Sequence, residues 1–299
     1  MLDFKRLTLK DKDLFNKYSK AYEFISSEYS FTNLYIWKDY YDIHYTLFND
    51  VLIIRKKDSS GKYSFLQPLV VPDAGIRESI EVLAEYSKEH PMEYIFSNVT
   101  EKFAYELLNY EKYNFKIYED RDNFDYIYES QKLSKLPGKN YHKKKNHYNS
   151  FMKNYKFEIL NLKDISIGDR VMDTTIKWYK NKETMDEAVN YELQSIPSLL
   201  NNMDYLGLEG VAIEVGEKIV GFSIGEKIND KIAIIHIEKG DTSYNGIYSF
   251  INKIFIDKCF NDVEFINREQ DLGIQGLRKA KESYHPLFLE KKFKVSILS

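Results

Sequence analysis

The sequence predicts two mixed α/β domains in tandem, and three observations predict it. The order of elements is spelled twice: residues 43–70 and 210–238 each read as three strands, and each set is followed by helix, strand, helix, strand. Two helical stretches precede each copy. The length of 299 residues suits two domains, at roughly 150 residues each. With 43% hydrophobic and 30% charged residues the chain is of the soluble globular kind, and each half is long enough to bury its own core.

Taken in order, the first copy is entered through YSFTNLYIW. There Phe31, Leu34 and Tyr35, with Trp37 and Lys38 next, give a helix one apolar face. Turns near Asn49-Asp50 and Ser59-Ser60-Gly61 separate three strands. A helix over about 75–90, the strand EYIFSNV, a helix over about 100–110 and a strand from FKIYE follow. The first domain ends after FDYIYE, at Leu136-Pro137-Gly138, and is expected to be structural.

Residues 139–156 are a basic connector. Tyr141, Tyr148, Phe151 and Tyr155 share one helical face; Lys139, His142, Lys143, Asn146, Ser150 and Lys153 share the other. A cationic stripe without acidic residues is either a solvated face or a contact for phosphate.

The second domain, 157–299, opens with a helix over about 168–180 carrying Ile176 and Trp178. A second helix over about 184–202 breaks near Pro197. Strands with turns at Gly216-Glu217 and Asn229-Asp230 come next. A helix over 246–260, the strand VEFIN, a helix over 273–284 and the strand FKVSIL complete the copy.

Polar chemistry concentrates in this second copy. Alternation along KIAIIHIEKGD puts His236 and Glu238 on one face, near the strand's C-terminal end, where α/β domains usually take ligands. A partly buried Glu238 with a raised pKa is a candidate general base, with His236 assisting. The alternative is a carboxylate ending a strand beside Lys239. Gly246 starts the next helix and either admits an anion to the helix N–H groups or simply shapes the turn.

The densest segment is EFINREQDLGIQGLRKAKESYHP. The strand ends at Asn267; Arg268, Glu269 and Asp271 fill a charged loop; Gly273 and Gly276 suggest close backbone approach. Ile274, Leu277, Lys281 and Tyr284 share a helical face, with Arg278 beside them. A lysine on such a stripe needs an acidic side chain or an anionic ligand. A structural ion pair with Glu269 or Asp271 is one reading, and a ligand-facing cluster the other.

Several classes are excluded. The single cysteine, Cys259, permits no internal disulfide or cysteine metal cage, and its place on an apolar helix stripe reads as a buried, inert thiol. The sequence shows no P-loop, dinucleotide fingerprint, HExxH or nucleophile elbow, so no metal site is expected. No apolar run approaches the ~20 residues that span a bilayer. The N-terminus is charged, and a cytoplasmic protein is expected. At a net charge of −3 there is no global attraction to nucleic acid.

The strings SEYSFTNLYIW, GKNYHKKKNHYNSF, HIEKGD, NGIYSFIN and INREQDLGIQGLRKAKESYHP resemble soluble bacterial proteins related to the C-terminal domain of phosphatidylglycerol lysyltransferases. The resemblance covers nearly the whole chain, and the last string is the most specific. It implies two tandem acyltransferase-like domains of the Gcn5-related N-acetyltransferase type. It also implies transfer of an acyl or aminoacyl group from aminoacyl-tRNA or acyl-coenzyme A to an amine, hydroxyl or lipid-like acceptor. The acetyltransferase pyrophosphate loop, Q/R-x-x-G-x-G/A, is kept here only in Gly246, with Tyr248 where the second small residue would stand. No covalently bound cofactor is expected; tRNA and coenzyme A are the candidate donors and partners.

On this reading Glu238, His236 and Lys281 are the catalytic candidates. Substrate would be bound by Lys139, His142, Lys143, Asn146, Gly246, Asn267, Arg268, Glu269, Asp271, Arg278 and Tyr284. The opposing class is a non-catalytic binding module that uses the same cleft for an anionic small molecule.

Overall fold

The computed structural model describes residues 2–58, 60–71, 75–180 and 187–298, leaving aside the side chains of 179, 180, 187 and 189. The expected turn at Ser59 and the start of the 184–202 helix therefore fall partly outside the described residues. The chain divides into two compact units: Met1–Asp125 with Glu290–Ser299, and Tyr126–Leu289.

The first unit contains β1 (Lys5–Arg6), α1 (Lys12–Ser19), α2 (Phe31–Trp37), β2 (His44–Phe48), β3 (Val51–Lys57), β4 (Tyr63–Phe65) and β5 (Leu69–Val70). Then come α3 (Ile76–Glu89), β6 (Phe96–Thr100), α4 (Glu101–Leu107), β7 (Asn114–Glu119) and the chain's last strand, β15 (Lys292–Leu298). The sheet order is β1-β2-β3-β4-β6-β15-β7, with β5 on β3. Among the described residues, only β4 and β6 pair in parallel. The β2–β3 hairpin turns at Asn49 and Asp50, both at positive φ, which these two residue types tolerate. Ser30 caps α2 by accepting from the Asn33 backbone N–H, and Thr100 caps α4 in the same way. Val51, Ile53, Phe65, Leu83, Val99 and Phe293 form the core.

The second unit contains β8 (Asp125–Glu129), α5 (Ser130–Lys135), α6 (His142–Asn154), β9 (Phe157–Asn161), α7 (Ile165–Lys180), α8 (Glu187–Asn201) and α9 (Met203–Leu206). It continues with β10 (Leu208–Val215), β11 (Lys218–Lys227), β12 (Ile232–Gly240), α10 (Ile247–Cys259), β13 (Phe265–Asn267), α11 (Gln275–Glu282) and β14 (Phe288–Glu290). The sheet order is β14-β8-β13-β12-β11-β10-β9. Here β12 and β13 pair in parallel. Phe250, Phe255 and Ile256 of α10 pack with Phe151 of α6 and with Tyr126, Ala233 and Ile266 of the sheet.

The expected boundaries, 1–138, 139–156 and 157–299, need correction. β8, which closes the first half of the chain, lies in the second sheet beside β13. β15, which closes the second half, lies in the first sheet between β6 and β7. Each half thus supplies a strand to the other unit. Strand pairing is non-local, so a Pro-Gly punctuation downstream of β8 carries no information about which sheet β8 joins. The connector belongs wholly to the second unit, and its aromatic face packs as expected: Phe151 stacks on Phe250 at 4.4 Å and Tyr148 on Phe250 at 5.6 Å.

The first unit also holds polar chemistry that no local string announced. Glu28 receives Lys56 at 2.9 Å, and Lys292 reaches Asp125 at 2.7 Å and Glu28 at 3.5 Å, all four side chains being buried. The expectation that only the second copy carries such groups fails because these residues lie far apart in sequence.

Candidate functional site

Two backbone features shape the second unit where its candidate residues lie. The pairing of β12 with β13 ends at Ile234↔Asn267, so from Ile235 onward β12 is paired with β11 alone. The sheet therefore splits there. A β-bulge falls at the same level: Ile237 pairs with Ile224 and Ile235 with Gly225, leaving His236 as the extra residue. Gly225 is required opposite it, because a Cβ there would meet the Ile234 carbonyl oxygen at 2.3 Å.

The bulge separates what strand alternation had joined. His236 lies fully inside, with Nδ1 2.8 Å from Glu269 and Nε2 3.1 Å from Glu226. Burial opposes its charge, but hydrogen bonds to the two carboxylates outweigh that, and its pKa is pushed up to about 9. An imidazolium held between two carboxylates is a structural cation, and the expected assisting role beside Glu238 is not what this geometry provides.

Glu238 belongs to a second network. Its Oε1 accepts from Arg268 Nη2 at 2.8 Å and its Oε2 from Asn252 Nδ2 at 2.9 Å. Arg268 follows β13 directly, and Asn252 sits fully buried on α10. The guanidinium carbon lies 4.7 Å from the Tyr284 ring centre and 5.8 Å from that of Tyr128. Burial pushes the Tyr284 phenol up, and the Arg268 charge is the first influence opposing it. Arg268 Nη1 and Asn252 Oδ1 are both buried without a hydrogen-bond partner. A donor and an acceptor are thus left open beside one carboxylate.

The remaining candidates fall into a third group that braces the loop after β13. Asp271, wholly buried, accepts from Tyr126 at 2.6 Å and from Arg278 Nε and Nη2 at 2.9 Å each. Although burial opposes it, these bonds hold its carboxyl well below the usual carboxylate range. Asn267 Oδ1 accepts the Glu269 backbone N–H at 2.6 Å. Lys281 donates to the backbone carbonyls of Arg268 and Glu269. The stripe that was to hold Lys281 is only half inward: Ile274 and Leu277 are exposed while Lys281 and Tyr284 are buried. Lys281 is therefore placed as a clamp on the loop carbonyls, while Asp271 pairs with Arg278.

The glycines also read differently in three dimensions. α11 starts at Gln275, not at Gly273, which sits in a turn at φ 73°. A Cβ at Gly276 would meet nothing within 4 Å, so no close approach explains it. Gly246, at φ 90°, is needed because a Cβ would strike the His147 carbonyl oxygen at 2.1 Å. It lets α10 begin against α6, and the anion-cradle reading gives way to packing.

Of the connector candidates, Lys139, His142, Lys143 and Asn146 are exposed. The residue that does reach the cluster is Lys144. Its Nζ lies 3.9 Å from the Tyr284 ring centre. Burial first, then the charges of Arg268 and Lys143, push its pKa down to about 8, with Glu238 opposing. Lys144 stands three residues after Tyr141 and four before Tyr148, on the packing face. That spacing was the available signal. Asn252, a polar residue inside the apolar helix SFINKIF, was the other. Cys259 is partly buried and its thiol is pushed up by burial to about 11, as an inert thiol requires.

Each sheet combines an antiparallel meander with one parallel neighbour and a strand from the other half of the chain. This tandem fold is similar to that of a tandem Gcn5-related acetyltransferase-type protein from the clavulanic acid pathway (7% identical, 99% of this chain and 98% of that one, TM-score 0.52). The chain belongs to the phosphatidylglycerol lysyltransferase C-terminal family, whose model matches residues 19–296. A conserved protein of unknown function from Bacteroides thetaiotaomicron is 29% identical over the whole of both chains, with a TM-score of 0.87. The C-terminal domain of an Agrobacterium fabrum protein assigned as a lysylphosphatidylglycerol synthetase is 11% identical, covers 98% of this chain and 92% of its own, and has a TM-score of 0.65. A protein of Mycoplasmoides gallisepticum is 27% identical over 61% of this chain, and the match spans 58% of that relative's length. Among the described residues no helix is long and apolar enough to cross a membrane.

Proposed function

We propose that the protein transfers an acyl or aminoacyl group from an ester or thioester donor to an amine or hydroxyl acceptor, at the split between β12 and β13. The observation that carries this reading is the Glu238–Arg268 pair lodged in that split, with Arg268 Nη1 open. A guanidinium held by a carboxylate and two rings is preorganised to hold a negatively charged oxygen of the substrate beside the reacting carbonyl. The acceptor's nitrogen or oxygen bonds to the acyl carbon, and the donor's C–O or C–S bond breaks. The acceptor's proton passes to Glu238 and on to the departing oxygen or sulfur. Glu238 takes that proton once substrate displaces Asn252 from its Oε2, leaving the bond to Arg268 in place. Family membership supports the reaction class; aminoacyl-tRNA and acyl-coenzyme A are the two donors to be tried.

The test is a transfer assay with radiolabelled aminoacyl-tRNA or acyl-coenzyme A against a panel of amines, hydroxyls and phosphatidylglycerol vesicles. Product is expected with one donor, and Glu238→Gln is expected to lower kcat by at least 100-fold while leaving donor affinity within a few fold. A second reading, a binding module for an anionic small molecule, is favoured by one observation: both Glu238 oxygens are already taken. On that reading neither donor turns over, and Glu238→Gln alters affinity alone.

A further inference from the structure

We propose that Lys144, together with Arg268, forms the seat for an oxyanion of the substrate — a carboxylate or a phosphate — at the Tyr284 ring. This deepens the transferase reading and rests on it for the identity of the cluster as the substrate site.

Three observations meet at that ring. The Lys144 ammonium and the Arg268 guanidinium both lie on it, at 3.9 and 4.7 Å from its centre. Like charges repel, so two cations gathered on one ring need an anion between or beside them. Among the described residues, the carboxylate acting on both is Glu238, and its oxygens are engaged by Arg268 and Asn252. Lys144 itself has no ion pair within the described residues, and Arg268 Nη1 is buried and open. The charges that bear on Lys144 are Arg268 after β13, Lys143 on α6 and Glu238 on β12, two positive and one negative. The cluster therefore carries surplus positive charge in a half-buried place, where an incoming oxyanion would be bound more strongly than at the exposed connector lysines.

The depressed ammonium agrees with the geometry. Lys144 titrates at about 8 in the free protein because burial and its cationic neighbours disfavour the charge. A bound oxyanion would reverse that effect and raise it. Lys144 would then be partly neutral in the empty site and fully charged in the filled one.

Lysine labelled with carbon-13 at Cε lets one pH titration read this by NMR, in the wild-type protein, with inorganic phosphate or with acetate as the probe. Lys144 is expected to titrate near 8 alone and at least one unit higher with a saturating probe. Calorimetry should show Lys144→Met weakening that probe at least tenfold, and Lys145→Met, an exposed neighbour, changing it less than twofold. A response to phosphate alone assigns the seat to a phosphoryl group, and a response to acetate alone to a carboxylate. A Lys144 titration that neither probe moves, or a Lys144→Met protein that binds the probe as well as wild type, overturns the proposal. Turnover is read separately: a protein that binds the anion but transfers nothing retains the seat and loses the transferase reading. A transferase indifferent to Lys144→Met does the reverse.

Discussion

Arg268 joins two networks through opposite ends of one residue: its Nη2 donates to Glu238 Oε1 at 2.8 Å, while its backbone carbonyl receives the ammonium of Lys281. The side chain faces the cluster at the sheet split, and the main chain is clamped from α11. Changes at Glu238 and at Lys281 therefore test different things.

Glu238→Ala leaves a buried guanidinium without its carboxylate. Removing one partner of a buried pair costs about 3–5 kcal/mol. Urea denaturation should show a loss of that order, and Glu238→Leu with Arg268→Met should recover most of it, because no uncompensated charge remains. A Glu238→Ala protein as stable as wild type would show that the pair contributes nothing to folding.

Lys281→Met removes the donor that holds the carbonyls of Arg268 and Glu269. Leaving buried carbonyls unsatisfied costs roughly 1–3 kcal/mol, so the melting temperature should fall. Affinity for a substrate anion, measured where the variant is fully folded, should stay within a few fold. Loss of binding with unchanged stability would restore Lys281 as a ligand-facing group.

His236 makes stability depend on pH. Its pKa in the folded protein is about 9, against 6.5 for the free side chain. A raised folded pKa means that the stabilisation is complete below pH 6.5 and is lost as the pH climbs through 9. At 1.36 kcal/mol per pH unit the whole effect is on the order of 3 kcal/mol. Equilibrium unfolding at pH 6, 7.5 and 9.5 should decline across that window, and His236→Gln should flatten the decline.

Gly246 and Gly276 should respond to alanine in opposite directions. Gly246→Ala drives a Cβ into the His147 carbonyl at a left-handed φ of 90°, and should destabilise by at least about 2 kcal/mol. Gly276→Ala meets open space inside α11, and should stabilise by about 0.5–1 kcal/mol. Thermal melts of the two variants decide it.

Much of the fold is legible in the sequence. Gly216 and Asn49-Asp50 marked hairpins because a left-handed backbone selects those residue types. The aromatic spacing of 141, 148, 151 and 155 marked the packing face of α6. The region 236–284 was identified as dense in polar chemistry, and Glu238, Arg268 and Tyr284 do meet. Their company was not legible. Asn252 looked like one polar residue in an apolar helix, and Lys144 was lost in a run of lysines whose exposed members drew attention.

By itself the sequence determined most of the longer strands and helices, that they recur in the same order, and that one stretch concentrates charge, while short elements such as β9 and β14 went unread. These are local properties, set by side-chain period, turn residues and composition. Tertiary structure alone decided that β8 and β15 each join the sheet of the other half, that a bulge at His236 breaks the alternation linking it to Glu238, and that Lys144 and Arg268 share the ring of Tyr284. Each of these depends on residues tens to hundreds of positions apart. Pairing register, close approach and the net charge of a buried cluster are set by which surfaces meet, and no local pattern encodes that meeting.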